Sequence, residues 1–446
     1  MIKKLFSPVF LAVSLLLFTY ILYKSEITFS GTNRMHYFKY YILCIILIIL
    51  SICTFYINKE IKEYVSIVIL SIVFTAYSFE YYLGNKTSMS KEELKILKIK
   101  KDKYKNKTQK KWDERSQYQV YRNLIKTDTD TVPYFYPTEL NINSKKIHTL
   151  SGVSNSPTVF CNENGYYSIT NSDRYGFNNP DDEWESNEFE FVFVGDSFTH
   201  GYCVNRPNDI PSVVRDISNK PTLNLGYGRN GPLIEYAVLR EYLPKKTKNI
   251  VFMWYGGNDL VNLNEELNNE ILIKYLNDQK FNQNLKGLQN EIDDQARKHI
   301  LSRSEGFKYG FYKLRLLRTK LKMIINSNKD KKDNTKYRFD KLEKILSLTK
   351  KLSIENQSNL YFVYLSASRY LETDKNPKED LKYFENVKSI VEKLEINFID
   401  IHKEVFEDKK DPLELFPFGI EGHYNVKGYR EVAEAVYEHI IIKELN

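Results

Sequence analysis

At 446 residues the chain is long enough for one large domain or two smaller ones with accessories. Its net charge of +8 comes from a lysine-rich composition, and no block dense in arginine and aromatics marks a nucleic-acid face, so no nucleic-acid partner is expected. Four cysteines are present, with neither a C-x-x-C pair nor a His/Cys cluster at zinc spacing, which leaves no metal site and no cofactor to expect.

In chain order, the first eighty-odd residues do not read as part of a soluble fold. Residues 5–23 form an uncharged apolar run of spanning length after Lys3 and Lys4, residues 40–57 a second, and residues 64–83 a weaker third. A cleaved signal peptide fits poorly, because the apolar region is too long and no small-residue cleavage site follows. Residues 1–84 therefore read as a membrane anchor of two to three helices. Three spans with the N-terminal lysines inside would put the rest of the chain outside. Residues 86–111, with eleven lysines and three acids, argue the reverse by the positive-inside rule. Residues 85–150 read as a basic stalk or linker, with TVPYFYPTELN (131–141) a proline-punctuated extended stretch.

The pattern changes from Phe189 onward. FEFVFVG, PTLNLG, NIVFMWYGG, NLYFVYLS and INFIDI are short apolar runs, separated by segments with helical spacing. Tyr429, Val432, Ala433, Val436 and Ile440 then mark an amphipathic C-terminal helix. This βαβ repetition predicts a three-layer α/β/α sandwich with a mostly parallel sheet, spanning residues 151–446 and interrupted by a helical insertion at about 261–341. Within that insertion, FYKLRLLRTKLKMII (311–325) is a basic amphipathic stretch: a helix with a solvated lysine face, or one that lies on a membrane surface or binds an anionic glycan. The insertion is expected to shape a lid or substrate groove.

In such sheets reactive groups gather at the carboxyl ends of the strands. There the sequence places Ser197 in Gly-Asp-Ser, a glycine-rich turn NLGYGRNGP (224–232), Asn258 in Gly-Gly-Asn-Asp, and His423 just before the last helix. A serine hydroxyl becomes a nucleophile when a base removes its proton, and histidine suits that task near neutral pH. A developing oxyanion needs donors already aimed at it, which a backbone N–H and an asparagine amide supply. Singly, each motif is as well explained as a turn or a helix cap; the ordered set is not.

That ordered set resembles the SGNH (GDSL) hydrolase family, over roughly residues 171–442, and SDRYGFNNP (172–180) is similar to the lead-in of membrane-linked, polysaccharide-associated members. The resemblance implies Ser197 as nucleophile, His423 as base, and an oxyanion hole of Ser197, Gly228 and Asn258. Gly226 and Gly231 are alternatives to Gly228, and Arg229 sits among them. Ile420 occupies the position where family members often carry the acid. Glu421 is then the nearest carboxylate for the triad, with Asp400 or no acid at all as the other options. The implied activity is a serine esterase acting on O-acyl, chiefly O-acetyl, groups of a cell-surface carbohydrate or a small ester. An O-acyltransferase on the same polysaccharide and a catalytically silent glycan-binding scaffold are the alternatives.

Cys161 and Cys203 complete the reading. A disulfide between them would tie the lead-in segment to the rim of the site and would persist only outside the cytoplasm, which favours an extracytoplasmic catalytic domain. Two unrelated buried thiols are the other reading.

Overall fold

The computed structural model describes residues 2–28, 31, 34–85, 89–308, 310–327, 335–366 and 377–445. Residues 328–334 of the expected insertion, and 86–88 of the lysine-rich segment, lie outside the described residues. The chain divides into two compact units, residues 1–88 with 307–330, and residues 89–306 with 331–446.

The first unit holds α1 (Ile2–Leu22), α2 (Arg34–Cys53) and α3 (Lys59–Asn85). Each belongs to a segment long and apolar enough to cross a membrane. A later helix joins this unit. Its first turn is capped by Glu80 of α3, whose carboxylate accepts the N–H groups of Leu316 at 2.9 Å and Leu317 at 2.7 Å. This part of the insertion, expected to shape a lid or groove, belongs to the unit of the three apolar helices.

The second unit starts well before residue 151. Helix α4 (Lys91–Thr108) begins with a capping box made by Ser90 and Glu93. Tyr104, Val120, Tyr121, Val132, Tyr134 and Phe135 are all buried. The expectation of a separate stalk over 85–150 is corrected accordingly. Most lysines of this segment are exposed, while Tyr104 and the apolar residues from Val120 onward pack into the fold.

The five apolar runs form one sheet: β1 (Phe189–Val194), β2 (Thr222–Asn224), β3 (Thr247–Tyr255), β4 (Asn359–Leu365) and β5 (Asn397–Asp400). The order is β5-β4-β3-β1-β2 and every pairing is parallel. Alternate residues feed two cores, which is why the strands read as nearly unbroken apolar runs. Val192, Val194, Phe252, Trp254 and Phe362 pack on one face with α6 (Pro232–Tyr242), α7 (Thr335–Glu355) and α8 (Pro377–Lys393). Phe191, Phe193, Val251, Met253 and Val363 pack on the other with α5 (Ile210–Ser218) and α9 (Val426–Leu445). The result is a three-layer α/β/α sandwich with a parallel sheet. Strand β1 has β2 on one side and β3 on the other, so the chain leaves it in opposite directions, and the crevice at its carboxyl end is where such folds bind ligands.

Candidate active site

Strand β1 ends at that crevice in Gly195-Asp196-Ser197. A β-carbon on Gly195 would stand 2.2 Å from Thr199 Oγ1 and 2.9 Å from the Met253 carbonyl, so only glycine lets the chain turn here. Asp196 caps the single helical turn that follows: its carboxylate accepts the Phe198 N–H at 2.9 Å. The turn leaves the Ser197 hydroxyl 2.9 Å from His423 Nε2. It also lies 3.2 Å from Asp196 Oδ2, on a carboxyl that burial pushes above its ordinary range.

His423 sits between two rings, Phe198 at 4.8 Å and Tyr202 at 4.6 Å between centroids. Its Nδ1 is 2.9 Å from Glu163 Oε1, and its backbone N–H donates to Glu163 Oε2 at 3.0 Å. One carboxylate thus holds both the ring and the chain of the histidine. With Nδ1 donating to Glu163, Nε2 is left to accept a hydrogen bond from the Ser197 hydroxyl. Burial alone would raise the Glu163 carboxyl. The bonds from His423, its charge and the charge of Lys100 outweigh that and hold the carboxyl below its ordinary range.

The carboxylate that His423 meets is Glu163 and not the expected Glu421 or Asp400. Glu421 is an exposed residue, and Asp400 accepts the N–H of His402 at 3.1 Å in its own turn. The Glu163 loop is held on three sides. Cys161 and Cys203 are disulfide-bonded, with Cα atoms 5.1 Å apart, and Asn164 Nδ2 donates to the Cys203 carbonyl at 2.8 Å. The Asp113 N–H bonds the Gly165 carbonyl at 2.9 Å. On α4, Tyr104 packs with Trp112 at 5.8 Å and with Phe418 at 6.2 Å, while Lys103 Nζ donates to the Phe418 carbonyl at 2.8 Å. Helix α4 therefore clamps the loop carrying the acid to the segment leading to the histidine. Gly422 completes the fit, since a β-carbon there would lie 3.0 Å from Glu163 Oε2.

On the other side of Ser197, the glycine turn differs from expectation. Gly228 donates its N–H to the Tyr134 hydroxyl at 2.6 Å, so it has no free donor for an oxyanion. Gly226 gives its N–H to Asn224 Oδ1 at 3.0 Å and Gly231 to Glu266 Oε1 at 2.6 Å. Among the described residues, the turn's backbone N–H with no acceptor is that of Arg229, at φ 70°. His200 braces the turn through Nδ1, 3.1 Å from the Gly226 carbonyl, and burial lowers its pKa to about 4, keeping it neutral.

Asn258 follows β3 across the crevice. Asp259 folds this loop back by accepting the Tyr255 N–H at 2.7 Å. The Asn258 Oδ1 is buried without a hydrogen-bond partner. A cavity of about 90 Å³ opens beside it, lined in part by Trp254, Gly257, Leu260 and Tyr364. Below this flank lie buried carboxyls. Burial pushes Asp259 and Glu235 well above the ordinary range, and Glu266 up to about 8, where it accepts N–H groups at the start of α6.

No family model matches the sequence, and no curated protein does either. Among solved structures, the chain is similar to an acetyl xylan esterase, AlAXEase, at 13% identity and TM-score 0.32, covering 56% of this chain and 99% of that one. It is also similar to Axe2, an acetylxylan esterase from Geobacillus stearothermophilus, at 14% identity and TM-score 0.32, covering 56% of this chain and 94% of that one. A third is a G-D-S-L-family protein from Desulfitobacterium hafniense DCB-2, at 14% identity and TM-score 0.31, covering 56% of this chain and 99% of that one.

Proposed function

We propose that the protein is a membrane-anchored serine esterase with the triad Ser197, His423 and Glu163. The observation that carries this is the continuous hydrogen-bonded line from Ser197 Oγ through both nitrogens of His423 to Glu163, each link 2.9 Å. A hydroxyl bonded to an imidazole that is itself oriented by a carboxylate is the arrangement of an activated nucleophile.

The mechanism follows from these atoms. Ser197 Oγ attacks the ester carbonyl as His423 Nε2 takes its proton, and Glu163 stabilises the imidazolium that forms. The oxyanion is met by the Ser197 N–H, the Arg229 N–H and the Asn258 amide. His423 returns the proton to the leaving alcohol, which leaves an acyl-serine that water cleaves by the same steps in reverse. The acyl group proposed is a short one such as acetyl. A carbohydrate alcohol as the other half of the ester is supported by the resemblance of residues 172–180 to polysaccharide-associated relatives. An extracytoplasmic site is supported by the Cys161–Cys203 bond together with three candidate spans.

The test uses the full chain in detergent. A fluorophosphonate should label Ser197, and the protein should release acetate from an aryl acetate; Ser197→Ala should do neither. Absence of both in the wild-type protein refutes the esterase reading.

A further inference from the structure

Arg229 belongs to the glycine-rich turn that follows β2. Arg229 is exposed, and among the described residues no carboxylate pairs with it. Its guanidinium lies instead over the ring of Tyr136, 4.2 Å from the centroid. The Tyr136 hydroxyl is 3.1 Å from that of Tyr202, and the Tyr202 ring packs on His423 at 4.6 Å. The cation is thus two rings from the proposed base, and its charge reaches the Tyr202 hydroxyl.

The backbone makes this placement costly. At φ 70° the position is left-handed, a region glycine occupies freely and a residue with a β-carbon occupies only at a cost. The turn is also pinned. Gly228 bonds Tyr134, and Asn262 Nδ2 donates to the Asn230 carbonyl at 3.3 Å. A long cation therefore sits where the conformation favours glycine, and among the described residues no carboxylate pairs with it.

We propose that Arg229, backed by Tyr136 and Tyr202, is a subsite for an anionic group of the substrate, a carboxylate or phosphate carried on the alcohol half of the ester. A guanidinium presents a planar fork of donors that matches either group, and stacking on Tyr136 fixes the plane of that fork. The substrate class implied is an acylated acidic glycan. The inference rests on the esterase reading for what occupies the neighbouring catalytic position.

The experiment compares 4-acetoxybenzoate with its methyl ester, a pair differing by one negative charge on the alcohol. In the wild-type protein, added salt should depress kcat/KM for the anion more than for the methyl ester. Arg229→Met should cost the anion about tenfold more than the neutral ester, and Arg229→Lys should recover part of the difference. In parallel, binding of tetragalacturonate and of xylotetraose is measured on Ser197→Ala protein. Adding Arg229→Met should weaken the acidic tetramer about tenfold and leave the neutral one in place. Equal losses on both esters, or tetragalacturonate binding indifferent to Arg229 and to salt, overturn the subsite. If neither ester is hydrolysed, the esterase reading fails while the two tetramers still decide this one.

Discussion

The two flanks of Ser197 are built in different ways. On the oxyanion flank, the turn after β2 and the loop after β3 leave their strands directly, so the sheet itself aims them. On the acid–base flank, Glu163 and His423 lie 260 residues apart, and neither leaves the end of a strand of the main sheet. A disulfide, helix α4 and an aromatic cluster hold them together. Their electrostatics differ in the same sense. The Glu163 carboxyl is held below its ordinary range by cationic neighbours and N–H donors, whereas burial drives Asp259, Glu235 and Glu266 above it. A flank aimed by the sheet can rest on neutral buried acids. A flank assembled from distant loops needs staples.

The sharpest way to break this contrast is at Glu163. Glu163→Gln keeps the shape and removes the charge that stabilises the imidazolium, and kcat on an aryl acetate should fall by about 10³–10⁴. Glu421→Gln should stay within about twofold, since substitutions of exposed residues away from the chemistry change little. The reverse ranking in steady-state kinetics would return the acid to Glu421. Asn258→Ala comes next. Loss of one oxyanion donor should lower kcat by about 10²–10³ with KM little changed. A raised KM with intact kcat would make Asn258 a binding residue.

The third effect is on stability as well as rate. The Cys161–Cys203 bond closes a loop with a sequence separation of 42. Loop closure on that scale contributes roughly 3–4 kcal/mol. Cys161→Ser should lower the melting temperature by several degrees and reduce kcat too, because it loosens the loop that carries Glu163. A lower Tm with unchanged kcat at low temperature would show that α4 alone holds the acid in place.

The same contrast governs what the sequence could reveal. All five strands were legible, because a strand buried on both faces is an unbroken apolar run. Ser197 and His423 could be singled out because one stands at the end of a strand and the other just before a helix, and the structure brings the two side chains to 2.9 Å. Glu163 lies in a loop with no periodicity, and only its neighbour Cys161 pointed to it: the half-cystine that pairs beyond the serine carries the acid two residues on. Gly228 was misread because its N–H is taken by Tyr134, 94 residues away, a bond no local pattern encodes. The segment over 85–150 was misread as a stalk because its lysines mask the buried Tyr104, Val120 and Tyr121. Lys100, whose charge helps to keep Glu163 ionised, went unnoticed for the same reason.

The smallest effect tests the buried acids under the oxyanion flank. Both Glu235 carboxylate oxygens are buried without a hydrogen-bond partner, and burial, with the nearby Asp259, Asp196 and Glu266, pushes its pKa well above the ordinary range. An acid raised in the folded state stays protonated there while the unfolded chain ionises. Its protonation favours folding below the unfolded carboxylate range, and that advantage is lost progressively as pH rises toward the folded value. Glu235→Gln cannot ionise and escapes this loss. Its melting temperature should therefore match or fall below that of the wild-type protein near pH 4 and exceed it by roughly 2–4 °C near pH 8. Glu163 has the opposite sign. Its lowered carboxyl contributes stability above the ordinary range that disappears as pH falls, so Glu163→Gln should cost stability at pH 8 and little in acid. The difference from the wild-type curve should be small in acid for both variants and grow with pH in opposite directions, upward for Glu235→Gln and downward for Glu163→Gln. Parallel curves would mean that the two flanks do not differ in charge after all.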